Sequence, residues 1–261
     1  MKTIKAFLCS ICLAFTCFSR IPVPQVEWNA QNMRFMMAGF PLIGVFIGLF
    51  VWLWSLLSGA ASFGPLLTGA GLVLIPAAVS GAIHLDGFCD VIDALSSHAE
   101  PERKREILKD PHVGAFAPIC IACYLILYVA VASEFALSLN AVLAFAATFV
   151  ISRCVSSFCV LAIARSSDNG MLASFQISAD KKPVLVVVFL IFALACGFCV
   201  WWSVPAAVIL VVVAVVATAL IVRMARKEFG GWSGDLAGFL LQTLELAFLI
   251  TLVVLQKVML L

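Results

Sequence analysis

Seven apolar runs dominate this chain, near residues 35–57, 64–84, 113–133, 139–163, 184–203, 204–222 and 236–256. Each approaches the roughly 20 residues that a helix needs to cross the hydrocarbon core of a bilayer. With 64% hydrophobic and 11% charged residues, the chain is too apolar for a soluble domain. The fold class expected is therefore all-α: a polytopic transmembrane helical bundle of about seven spans, forming one integral membrane domain over residues 1–261. The boundary between the fifth and sixth runs, at Ser203-Val204-Pro205, is the least marked. Ahead of the first run, Lys2 and Lys5 precede a shorter apolar stretch, Ala6 to Phe18. Its layout resembles a secretion signal, but no small-x-small cleavage site follows and the chain continues into Ser19-Arg20-Ile21-Pro22-Val23-Pro24. A retained interfacial or half-length helix is the preferred reading.

Charge orients the spans. Loops 20–34, 85–112, 164–183 and 223–235 carry Arg20, Arg34, Arg103, Lys104, Arg105, Lys109, Arg165, Lys181, Lys182, Arg223, Arg226 and Lys227, whereas the alternate loops near 58–63, 134–138 and 203 carry no Lys or Arg. Basic loops stay in the cytoplasm. The pattern assigns the polar loops to that side, and loops 85–112, 164–183 and 223–235 are the expected catalytic ones. Because the basic residues are dispersed and the net charge is only +2, nucleic acid is not an expected partner.

At the end of the second run, His84-Leu85-Asp86-Gly87-Phe88-Cys89-Asp90-Val91-Ile92-Asp93 places three carboxylates at i, i+4 and i+7. On a helix they share one face and repel one another. A divalent cation between them resolves the repulsion, and Mg²⁺ is the natural guest of oxygen ligands and phosphate. Asp235, at the entrance of the last run, is a further candidate ligand. His84, or one of the carboxylates, is a candidate general base, with a hydrogen-bonded interfacial histidine as the plain alternative.

Other polar features lie in the same loops. Lys104, Arg105 and Lys109 could supply positive charge to a polyphosphate or simply coat a solvated helix, and Gly114 permits close backbone approach where the chain returns to the membrane. Arg165 opens a turn-forming run, Arg165-Ser166-Ser167-Asp168-Asn169-Gly170, able to lie over a ligand. Arg153 stands inside the fourth run, where a guanidinium snorkels or finds an anionic partner, a phosphate or a carboxylate. Gly230, Gly231, Ser233 and Gly234 could bring backbone N–H groups close to an anion. Glu245, inside the last run, is either a functional acid or the partner of Arg153. The CxxC spacings among the ten cysteines lie in apolar runs and read as packing. Gly44-x-x-x-Gly48 reads as close helix packing, with a homo-oligomer contact as the weaker alternative.

Several stretches, in this order, resemble the cobalamin synthase family, the adenosylcobinamide-GDP ribazoletransferases. They are Phe18-Ser19-Arg20-Ile21-Pro22-Val23-Pro24, Phe40-Pro41-Leu42-Ile43-Gly44, His84-Leu85-Asp86-Gly87-x-x-Asp90-x-x-Asp93, Lys109-Asp110-x-x-Val113-Gly114-Ala115-Phe116 and Gly230-Gly231-x-Ser233-Gly234-Asp235. The resemblance covers almost the whole chain. It implies an integral enzyme of the bacterial inner membrane, with its active site toward the cytoplasm. It also implies an Mg²⁺-dependent joining of α-ribazole, or its 5′-phosphate, to adenosylcobinamide-GDP with release of GMP. Departures from the family pattern include Cys89 for Ala, Ala94 for Gly, His112 for Arg, Ala117 for Gly and Ser233 for Thr. His112 matters most, since it replaces a permanent cation near the phosphates by one that depends on pH. Two rivals fit less well. A CDP-alcohol phosphotransferase would show Ala-Arg after Asp-Gly-x-x and a longer spacing to its later aspartates, and a secondary transporter would hold its acids at the midplane of broken helices, not at one edge.

Overall fold

The structure, a computed structural model, describes residues 2–110, 112 and 114–258. The side chains of residues 2–4 and 202 are outside the description, as is Val113 of the 109–116 motif. Among the described residues all regular structure is helical: α1 Lys2–Phe18, α2 Ala30–Met33, α3 Met36–Ala60, α4 Pro65–Ser80, α5 Ile83–Ser96, α6 Pro101–Ile107, α7 Phe116–Ser133, α8 Leu139–Ala162, α9 Met171–Ser178, α10 Lys181–Trp202, α11 Val204–Phe229 and α12 Gly234–Lys257. Six of these, α3, α7, α8, α10, α11 and α12, are long and apolar enough to cross a membrane, whereas α4 and α5 pass that test only together, as a pair bent by 95°. The chain is an integral membrane helical bundle.

Local chemistry explains where the helices stop. Ser138, Ser203 and Ser233 cap α8, α11 and α12, each hydroxyl accepting from the backbone N–H three residues on. With Pro205 in the first turn of α11, the Ser203 cap turns the weakly marked boundary into a clean break. Helix α1 is a short element that buries Leu13, Ala14 and Phe15.

The second apolar run is not one helix. Gly81 and Ala82 both take left-handed backbone angles, φ 64° and 61°, and α5 leaves α4 at 95°. The acids therefore ride on a separate helix lying across the end of α4, outside the membrane-crossing helices, and not on the mouth of a continuous span. Glycine accepts that conformation freely, whereas Ala82 adopts it at a steric cost.

Helices α3 and α8 form the closest pair in the bundle: a Cβ on Gly44 would stand 2.5 Å from the Phe149 carbonyl oxygen, and one on Gly48 would stand 2.9 Å from the Ala146 Cβ. The small-residue pair is thus used within the chain. Deep in the bundle, the Arg153 guanidinium lies 2.8 Å from a Glu245 carboxylate oxygen, with both side chains 1% exposed. All ten cysteines are free thiols.

Candidate active site

The three polar segments meet at one end of the bundle. Lys104 of α6 pairs with Glu228 near the end of α11. Trp232 donates its backbone N–H to the Ala164 carbonyl at 2.9 Å, and its own carbonyl accepts from Ser166 N–H at 2.9 Å, so residues 164–166 and 231–233 run side by side. Helix α5 meets the first turn of α12 backbone to backbone. A Cβ on Gly87 would come within 2.9 Å of the Asp235 Cα, and one on Gly238 would stand 3.0 Å from the His84 carbonyl oxygen. Only hydrogen atoms fit at those two positions, which is why Asp86 and Asp235 end up facing a common space.

That space is a cavity of about 280 Å³, lined by residues of α1, α3, α5, α8, α9 and α12. Asp86, Gly87, Gly234 and Asp235 form one side, and Phe18, Met37, Phe40, Met171, Leu172 and Phe175 form the other, with His84, Ser156 and Val160 between them. The 164–183 loop does lie over the site, but it does so through α9, whose apolar side chains wall the cavity. Gln176 locks that loop by donating to the Val160 and Ile163 carbonyls at 2.6 and 3.0 Å.

The four carboxylates share an electrostatic neighbourhood but not one task. Burial, then the charges of Asp86, Asp235 and Asp93, push the Asp90 carboxyl up to about 6. Among the described residues Asp86 and Asp90 have no ion-pair or hydrogen-bond partner through their side chains. Asp93 spends both oxygens on the start of α7, accepting from Gly114 N–H at 2.6 Å and Ala117 N–H at 2.9 Å. Asp235 stands 3.5 Å from the Ser233 hydroxyl. Among the described residues no three His, Cys, Asp or Glu side chains converge closely enough to hold a metal ion. In kind, however, an all-oxygen donor set with uncompensated negative charge suits a hard cation such as Mg²⁺, and Asp86, Asp90 and Asp235 are the residues that would hold it.

His84 is 6% exposed and wedged among aromatic rings, stacked on Phe18 with centroids 6.3 Å apart and edge-on to Phe40 at 5.6 Å. Burial, helped by the positive charge of Arg153, lowers it to about 3. It is a neutral ring at ordinary pH and a weak proton acceptor, which moves the base assignment toward the carboxylates. Its Nε2 is buried with no hydrogen-bond partner among the described residues.

The remaining candidates fall into two groups. Gly87, Gly114 and Gly234 sit at the site, and Lys109 is exposed without an ion pair among the described residues. Elsewhere the sequence signal has a structural origin. Lys104 is buried against Glu228, and Arg105 pairs with Glu102 at 2.8 Å. Arg165 pairs with Asp168 at 2.7 Å, and Arg153 is consumed by Glu245. Gly230 is the left-handed cap of α11 at φ 70°. Gly231 faces the 164–166 backbone, where a Cβ would stand 2.7 Å from Ser166 N, so its lack of a side chain serves loop packing. Ser233 is the α12 cap. The aromatic wall escaped sequence reading, because a phenylalanine among 21 in an apolar chain carries no mark of a site.

Comparison with known proteins adds an independent line. Residues 10–253 match the family described as cobalamin-5-phosphate synthase. Curated relatives named adenosylcobinamide-GDP ribazoletransferase include one from Lachnoclostridium phytofermentans, 37% identical over 92% of this chain and 91% of its own length. Another, from Clostridium botulinum, is 33% identical over 87% and 90%, and one from Geobacillus kaustophilus is 31% identical over 88% and 89%. No solved structure matches.

Proposed function

This chain belongs to the cobalamin-5-phosphate synthase family, and on that premise we propose that it transfers the adenosylcobinamide phosphate group of adenosylcobinamide-GDP to α-ribazole, or to α-ribazole 5′-phosphate, releasing GMP. The family's place is the final step of cobalamin synthesis, and the chain is a membrane-embedded transferase. Membership of the family sets aside the CDP-alcohol phosphotransferase and transporter readings. The observation that supports the proposal is the meeting of Asp86 and Asp235 at one cavity edge through the Gly87–Asp235 backbone contact, with Asp90 close enough to feel both charges.

The reaction is a displacement at phosphorus. A ribose hydroxyl oxygen forms a new P–O bond to the phosphorus carried by cobinamide, the bridging P–O bond of the diphosphate breaks, and the electron pair leaves with GMP. Mg²⁺ held by Asp86, Asp90 and Asp235, with Asp93 recruited from its cap, would neutralise the phosphoryl oxygens. Asp86, on the cavity lining, takes the hydroxyl proton and passes it to solvent. The first turn of α12 orients the acceptor against α5, so that alignment and not side-chain reactivity supplies much of the rate. Of the substrate-binding cations singled out from the sequence, Lys109 is the one exposed and without an ion pair among the described residues, and it is assigned to the diphosphate. The basic loops are consistent with this end of the bundle facing the cytoplasm from a bacterial inner membrane.

Purified protein in liposomes, given adenosylcobinamide-GDP, α-ribazole and Mg²⁺, should release GMP, and Asp90→Asn should release far less. Absence of GMP from the unaltered protein defeats the substrate assignment. Undiminished GMP from the variant, or release that survives chelation, defeats the metal assignment.

A further inference from the structure

We propose that the cavity beside the acids is the seat of the acceptor's aromatic base, and that His84 reads it by donating one hydrogen bond from Nε2 to the base's single free ring nitrogen. The inference rests on the transfer reading above and adds which substrate fills the cavity and which residue recognises it.

Size makes the first cut. A space of about 280 Å³ closed by helices on several sides has no room for a corrin macrocycle, whereas a bicyclic heteroaromatic ring with its sugar is of that order. Surface chemistry makes the second. The rings of Phe18 and Phe40 pack against His84, and Phe175 packs edge-on to Phe18 with centroids 5.9 Å apart, giving apolar aromatic walls suited to stacking. Apart from Asp86 and Asp235, the described lining offers only His84 and Ser156 as polar side chains.

Hydrogen-bond arithmetic makes the third. Guanine and the adenine of the adenosyl group, the other aromatic bases in the reaction, each present several donors and acceptors that such walls would leave unpaired. A benzimidazole attached to ribose through one nitrogen has one in-plane acceptor left and no donor. His84 in its Nε2–H form has one donor, buried and unpartnered. The two needs cancel. A base seated against the aromatic wall places its ribose toward Asp86 and Asp235, the edge where the hydroxyl must be activated.

The test is a double-mutant cycle on acceptor chemistry. GMP release is measured with α-ribazole and with the matching indole riboside, in which the free ring nitrogen is replaced by CH. The unaltered protein should favour ribazole by about tenfold in kcat/KM, the worth of one buried hydrogen bond. In His84→Leu the preference should vanish, with the KM for adenosylcobinamide-GDP unmoved. Leu172→Trp, which fills the cavity from α9, should raise the acceptor KM alone. A His84→Leu protein that still discriminates, or a Leu172→Trp protein whose defect lies in the corrinoid KM, overturns the inference. If no protein releases GMP, the transfer reading fails by itself, and calorimetric titration with α-ribazole still decides this one. Binding weakened by both substitutions supports the base site, and binding indifferent to them refutes it.

Discussion

Helix α8 separates two hollows of opposite character. On one side, Ser156 and Val160 face the 280 Å³ cavity with its histidine and carboxylates. On the other, Cys154, Val155 and Phe158 face a groove of about 920 Å³ between α8, α10 and α11, apolar but for Thr218 and the cations Arg223, Arg226 and Lys227 toward one end. The larger hollow belongs to the loosely covered half of the bundle. Only 22% of the α10 window and 28% of the α11 window are buried, against 72% for α8 and 61% for α12. In a membrane protein, volume measures how far helices stand apart with lipid to fill the gap. Unpaired polar groups in a tight place measure chemistry.

The strongest way to break this contrast is at the joint between α5 and α12. Gly87→Val puts side-chain atoms into the Asp235 backbone, and a shift of about 1 Å in the acids should cost about 100-fold in GMP release. Gly197→Ala, on α10 with open space around it, should leave release unchanged. Equal tolerance at the two glycines would dissolve the distinction.

Next in size is the buried ion pair. Arg153→Leu leaves Glu245 uncompensated and should destabilise the bundle by about 3–5 kcal/mol, visible as an early thermal transition in detergent. Adding Glu245→Leu should recover most of that loss. If the single substitution is silent, the pair contributes nothing to the fold.

Asp93→Ala removes two hydrogen bonds at the start of α7 and should cost about 1 kcal/mol, read from the same melt. A smaller, pH-dependent effect belongs to Asp90. Its carboxyl is raised to about 6 by burial and then by Asp86, Asp235 and Asp93, so the metal-free folded chain binds that proton more tightly than the unfolded chain does. Stability should fall as pH rises from roughly 4 through 6, and Asp90→Asn should raise Tm at pH 7.5 but not at pH 4. Identical shifts at both pH values would show that the acids do not interact. Smallest of all, Ala219→Trp on the large groove should leave GMP release at its original level.

Hydropathy made the bundle legible, because every crossing helix must announce itself in apolar length. The turn at Gly81-Ala82 left no such trace. The run 64–84 is apolar throughout, and it is contact with α12, through Gly87 and Gly238, that draws α5 aside. The acid triplet was visible as a spacing, whereas the diversion of Asp93 to the α7 backbone depends on where residues 114–117 return, which no local pattern encodes. Arg153 was conspicuous as a charge in an apolar run, yet only the fold chooses between a substrate phosphate and Glu245. The 230–234 segment was readable as glycine-rich, but its packing against residues 164–166 depends on the fold.

The meeting of α5 and α12 through bare main chain has a consequence for how such a transferase can diversify. At Gly87 and Gly238 the seam has no side chain to trim or enlarge, so those two positions admit no gradual retuning. On the proposed seating of the acceptor's base, variation in the heterocycle would come from the opposite wall, at Phe18, Met37, Met171 and Leu172. Those positions can drift while the acidic edge stays in register.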